Sequence, residues 1–146
     1  HLAKDNITVV PLADDAGHAR IIAGRFGNTD GAAETFTELN VWDIVLNGGA
    51  SADLDVPAGH NLMLVVLRGE VRINGGQSVQ ASQMATFERE SGSVKVEAVG
   101  GEAKILLLSG VPIDEPVVGY GPFVMNTEAE ISEVMNEFRS GKFGAV

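Results

Sequence analysis

The fold turns on one stretch, Leu62-Met63-Leu64-Val65-Val66-Leu67-Arg68-Gly69-Glu70-Val71-Arg72-Ile73-Asn74-Gly75-Gly76-Gln77. Its second half reads as a hairpin, because an alternating strand, Glu70 to Ile73, runs into Asn74-Gly75, a pair that accepts the positive φ angles of a tight two-residue turn. Its first half is a continuous apolar run from Leu62 to Leu67, and Ile105 to Leu108 is a second. Such runs suit strands covered on both faces, so both are expected at the centre of a sheet.

Moving outward, apolar residues recur at every second position until about residue 125 and at every third or fourth thereafter, with the change near Asn126. The other candidate strands are Ile7 to Leu12, Ala19 to Phe26, Val41 to Leu46, Met84 to Phe87, Val94 to Val99 and Lys104 to Leu108. Gly, Asn, Asp and Pro clusters such as Asn28-Thr29-Asp30-Gly31, Asn47-Gly48-Gly49 and Pro57-Ala58-Gly59 separate them. Many short strands between turn signals define a mainly β sandwich or barrel, spanning about 7–125.

A helix is expected over about 128–140. Thr127 caps the Glu130 amide while Glu130 reaches back, and Ile131, Val134, Met135 and Phe138 fall on one stripe that must dock on something. Gly141 is placed to end it.

The 146 residues make about one domain. A formal charge of −10 repels phosphate backbones and anionic lipid, so direct nucleic-acid binding is not expected. The absence of cysteine removes disulfides, zinc thiolates and iron–sulfur clusters. No apolar run approaches the roughly 18 residues of a membrane span, and no leader pattern opens the chain, which points to a soluble, cytoplasmic protein. No Gly-x-Ser-x-Gly elbow or phosphate-binding Gly-Lys-Ser/Thr loop occurs, and Gly119-x-Gly121 leads to Pro122 rather than into a helix with a third glycine. The acidic pairs Asp14-Asp15, Asp53 with Asp55, and Glu88 with Glu90 read as solvated charge.

Alternation sends Trp42, Ile44 and Leu46 one way, into the core, and Val41, Asp43 and Val45 the other. If Asp43 does point inward, it needs a cation, with Arg20, Arg25 and Arg68 as candidates. His60 enters a central strand and reads as a neutral imidazole bonded to a neighbouring loop; His18 and His1 read as solvated. In Gly119-Tyr120-Gly121-Pro122-Phe123 the glycines allow an unusual path and Pro122 stiffens the exit, a docking segment that lays Tyr120 and Phe123 across a barrel.

Glu115-Pro116-Val117-Val118-Gly119-Tyr120-Gly121-Pro122-Phe123-Val124-Met125-Asn126-Thr127, with the acidic helix and Arg139-Ser140-Gly141-Lys142-Phe143-Gly144 after it, resembles the C-terminal signature of pirins. Asn40-Val41-Trp42-Asp43, Gly59-His60-Asn61 and Leu67-Arg68-Gly69 resemble the C-terminal cupin domain of bacterial pirin-like proteins, so the likeness covers nearly all of 1–146. It implies a cupin-type jelly-roll barrel, and a parent with two cupins in tandem whose N-terminal one holds iron on three His and one Glu. That half is not in this chain. A cupin metal site carries His-x-His, then Glu four residues on, before a strand ending in glycine. Anchored on Gly69, those positions fall on Val56, Ala58 and Leu62, none of which binds metal, and no histidine follows His60.

The expected function is therefore a metal-free, non-catalytic cupin half whose partner is the N-terminal cupin of its parent or a second copy of itself. The alternatives are a part of a pirin-type iron-dependent quercetin 2,3-dioxygenase whose catalytic half lies elsewhere, and a cupin module binding a small apolar ligand. Alone, the chain is expected to expose the apolar surface of its terminal helix and of the segment around Tyr120 to Phe123, and to dimerise through it.

Overall fold

The computed structural model describes residues 3–89 and 92–143. His1, Glu90 and Gly144, each assigned a place above, lie outside the described residues. The elements in chain order are β1 Thr8–Pro11, β2 Gly17–Ala23, β3 Arg25–Phe26, β4 Thr29–Asp30, β5 Leu39–Leu46, β6 Ser51–Asp55, β7 Asn61–Arg68, β8 Glu70–Ile73, β9 Ser78–Gln80, β10 Met84–Phe87, β11 Ser93–Ala98, β12 Ala103–Gly110, β13 Val118–Tyr120, β14 Phe123–Met125 and α1 Glu128–Arg139. The chain divides into two compact units between Pro112 and Ile113.

The first unit is a two-sheet antiparallel sandwich. One sheet has six strands in the order β1-β2-β5-β12-β7-β10, the other four in the order β6-β11-β8-β9. Strands that are neighbours in space but distant in sequence, such as β5 and β12, make this a crossover topology rather than a meander. Alternation puts Ile21, Trp42, Ile44, Leu64, Ile105 and Leu107 on the inner face of the larger sheet and Leu54, Val71, Val94 and Val96 on that of the smaller; all are buried. Each such side chain contributes about 1.5–3 kcal/mol by leaving water, and together they form one continuous core.

The expected hairpin is present: β8 pairs with β9, with Asn74 at φ 49° and Gly75 at φ 70°. Asn74 also accepts from the Lys95 amide through its side chain at 2.9 Å, which ties the turn to β11. Gly69 breaks the chain between β7 and β8 with φ +78°, where a Cβ would lie 2.5 Å from the Glu102 carbonyl oxygen. No other residue fits there without moving that backbone.

Two readings need correction. The strands built on Leu62–Leu67 and Ile105–Leu108 do sit centrally, but they are not buried on both faces: inner residues are buried while Met63, Val65, Leu106 and Leu108 are half-buried and Leu67 is exposed. The β region read as running to about 125 also divides, since the last sandwich strand ends at Gly110 and β13 and β14 form a separate hairpin in the second unit. Strands β6 and β9 each show only one or two apolar residues among polar ones, too few to register a period in the sequence.

In the second unit α1 packs on the β13–β14 hairpin. Its start is a capping box, Thr127 accepting from the Glu130 amide at 3.2 Å and Glu130 accepting from the Thr127 amide at 2.8 Å. At its end the Gly141 amide donates to Phe138 and the Lys142 amide to Glu137, a Schellman closure. Of the predicted stripe, Ile131 and Val134 are buried, Met135 is half-buried and Phe138 is exposed. Among the described residues no helix is long and apolar enough to cross a membrane.

Candidate functional site

Register brings three polar side chains from distant parts of the chain to one end of the sandwich. Ser109, near the end of β12, stands opposite Asn40 of β5 on one side and Leu62 of β7 on the other, and His60 immediately precedes β7. All three are buried. The Asn40 side-chain amide donates to Ser109 Oγ at 3.0 Å, and its oxygen accepts from the Arg25 backbone amide at 2.9 Å. His60 Nδ1 lies 3.4 Å from the same Oγ, and His60 Nε2 lies 3.7 Å from Oε1 of the exposed Glu38. Burial of these groups is tolerable because each has a partner; removing one would strand the others.

Beside this cluster lies an open cavity of about 690 Å³ whose walls include Glu38, Asn40, Asp55 and Val56, with the Arg25–Asp30 pair of the β3–β4 hairpin at its rim. Arg25 Nε donates to Asp30 Oδ1 at 2.8 Å. That bond, with the charge attraction behind it, holds the Asp30 carboxyl below its ordinary range and raises the Arg25 guanidinium above its own.

Ser109, His60 and Glu38 come in the order of a nucleophile relay, yet they do not work as one. The His60–Glu38 separation exceeds hydrogen-bond reach, and Ser109 Oγ is buried and already takes a bond from Asn40. The arrangement closes the end of the core with satisfied polar groups.

The positions anchored on Gly69 behave unequally. Val56 and Leu62 are core residues at 3% exposure, whereas Ala58 is exposed on the Pro57–Gly59 turn and does not line the interior, which corrects its placement. His60 takes the inward position instead, and its partner is a strand serine rather than a loop. His60 Nε2 and Glu38 Oε1 stand 3.7 Å apart, and no group of three His, Cys, Asp or Glu capable of holding a metal occurs among the described residues. This donor set does not fit the three-His, one-Glu iron site implied by the cupin likeness.

Trp42 is buried as expected, with Phe26 edge-on at 4.9 Å, though its Nε1 has no hydrogen-bond partner. Asp43 points to the outer face of the larger sheet, where Arg20 NH1 lies 3.7 Å and Lys104 Nζ 3.1 Å from its Oδ2. Of the three cations proposed for it only Arg20 is used: Arg25 pairs with Asp30 and Arg68 with Glu102. Lys104 was overlooked because nothing in the sequence aligns β12 beside β5. In the second unit Tyr120 stands opposite Phe123 across a two-residue turn of Gly121, φ +57°, and Pro122. Phe123, Phe138 and Phe143 cluster at 5.8–6.3 Å, and an apolar groove of about 280 Å³ runs past Tyr120, Phe123 and Met135. His18 is half-buried on the outer side of β2; Asp14, Asp15, Asp53, Asp55 and Glu88 are exposed.

The two-sheet sandwich is that of a cupin: the crystal structure of quercetin 2,3-dioxygenase from Acinetobacter baumannii superposes with a TM-score of 0.89 at 42% identity, over 99% of this chain and 50% of that one. The Pirin C-terminal cupin domain matches residues 41–144, and the chain belongs to the pirin family. A Pseudomonas aeruginosa protein provisionally named a quercetin 2,3-dioxygenase is 42% identical over 97% of this chain and 49% of its own length; human pirin is 30% identical over 97% and 47%. The chain spans about half the length of the curated relatives it matches.

Proposed function

We propose that this chain is the metal-free C-terminal half of a two-cupin pirin-type protein, in which it supplies structure and an interaction surface rather than chemistry. The observation that carries the reading is the interior near the Gly69-anchored positions: Val56 and Leu62 belong to the core, and the histidine that lies between them in sequence, His60, is tied to Ser109. An imidazole held in that bond, with a single carboxylate near its other nitrogen, offers too few donors for a transition-metal centre.

A second reading concerns the parent. Relatives of twice this length carry the name quercetin 2,3-dioxygenase. On this reading the full-length protein is an iron-dependent flavonol dioxygenase, its iron sits in the N-terminal cupin as the partner half, and this half completes the molecule around it. The test is metal analysis of the purified 146-residue chain after equilibration with Fe(II), beside the full-length protein and a quercetin-turnover assay. The chain should retain far less than one ion per molecule while the longer protein retains iron. Stoichiometric iron on the short chain, lost in His60→Ala, would overturn the assignment.

A further inference from the structure

The hydrogen bonds at the closed end of the sandwich run in one direction from a fixed start. A backbone amide can only donate, so the Asn40 atom that meets the Arg25 amide at 2.9 Å is the side-chain oxygen. Asn40 Nδ2 therefore donates to Ser109 Oγ at 3.0 Å. The Ser109 hydroxyl proton points on to His60 Nδ1, 3.4 Å away, whose lone pair accepts it. That order puts the ring proton of a neutral His60 on Nε2, and a charged ring carries one there as well. The series ends in an N–H donor.

Among the described residues this donor meets no acceptor within reach. Nε2 looks toward Oε1 of Glu38, 3.7 Å away and too far for a direct bond, although the His60 side chain is only 4% exposed. Glu38 is 68% exposed and stands on the wall of the open cavity of about 690 Å³. An oxygen atom placed about 2.8 Å from each of them would accept from Nε2–H and donate to the carboxylate at once. A hydroxyl does both. An ammonium has no lone pair for the imidazole N–H, whatever the attraction of the surrounding acids. A carboxylate has no proton for Glu38 and meets Asp30 and Asp55 on the same walls. Leu39 and Val56 add apolar surface beside these polar groups, which suits a ring that carries its hydroxyls on the edge.

We propose that this cavity is a binding site for a neutral polyhydroxylated compound, one of whose hydroxyls bridges His60 Nε2 and Glu38. The site goes beyond the structural role assigned to the chain above, and it needs no metal and no bond-making step. It differs from a site for an apolar ligand because its deciding contacts are two hydrogen bonds.

Two measurements on the 146-residue chain test it. NMR of the imidazole nitrogens, with the His60 signals assigned by elimination in His1→Gln and His18→Gln, should show a proton on Nε2. Titration then compares three compounds built on the same carbon ring: myo-inositol, cyclohexylamine and cyclohexanecarboxylate. Saturable shifts of the His60 ring signals are expected with myo-inositol and not with the other two at equal concentration. Glu38→Ala, at an exposed position, should leave the unfolding midpoint unmoved and weaken myo-inositol binding by at least about tenfold, the loss of one hydrogen bond to a charged acceptor. The proposal is overturned by a ring proton on Nδ1 alone, by no saturable shift with myo-inositol, by either of the other rings binding as well as it does, or by equal affinity in Glu38→Ala.

Discussion

Asn40 shows how a single residue sets the closed end of the sandwich. Its amide spans the Arg25 backbone and Ser109 Oγ, so Asn40→Ala removes two bonds, taking the partner from the part-buried Arg25 amide and leaving Ser109 Oγ only its longer contact with His60. The expected loss is about 1–3 kcal/mol, read as a lower urea midpoint with unchanged slope. The Arg25–Asp30 pair acts in the opposite regime. Both groups are exposed, and the Asp30 carboxyl is held below its ordinary range chiefly by the hydrogen bond from Arg25. A depressed folded-state value means the pair's contribution is present above the ordinary carboxylate range and is lost as pH falls through the folded-state value. Asp30→Asn should therefore lower stability slightly at neutral pH, less in high salt, and not at all once the wild-type carboxyl is protonated; a stability difference that persists in strong acid would contradict this. These residues were hidden in the sequence. Ser109 and Glu38 belong to no motif, Asn40 enters only through a stretch that resembles pirins, and His60 is legible as standing at a strand entry but without its partner.

At the scale of elements, local chemistry was legible wherever it is local. The Asn74-Gly75 turn and the Thr127–Glu130 box form as their residue types require, because both depend on neighbours a few positions away. Thr127→Ala should destabilise α1 by about 1 kcal/mol, visible as faster amide exchange in its first turn while β7 and β12 amides are unchanged. What alternation could not give was the second face of a strand. Continuous apolar runs were read as doubly covered, yet in β7 and β12 only the inner side is buried.

For the whole molecule, an apolar sheet face and the exposed Tyr120, Val124 and Phe138 of the second unit leave much hydrophobic surface in water. Through the second unit's apolar residues the short chain is expected to sediment as a concentration-dependent mixture heavier than a monomer, and Phe138→Arg should shift that mixture toward the monomer; a strictly monomeric wild-type chain at high concentration would contradict the expectation. The sequence by itself determined the mainly β class, the terminal helix and its caps, the kinship with pirins and the apolar character of Val56 and Leu62, because period, turn chemistry and residue type act at short range along the chain. Only the tertiary structure decided that Ser109 closes on His60 and that Lys104 joins Arg20 at Asp43. Those pairings depend on which strands become neighbours, and that is a property of how the whole core packs rather than of any segment within it.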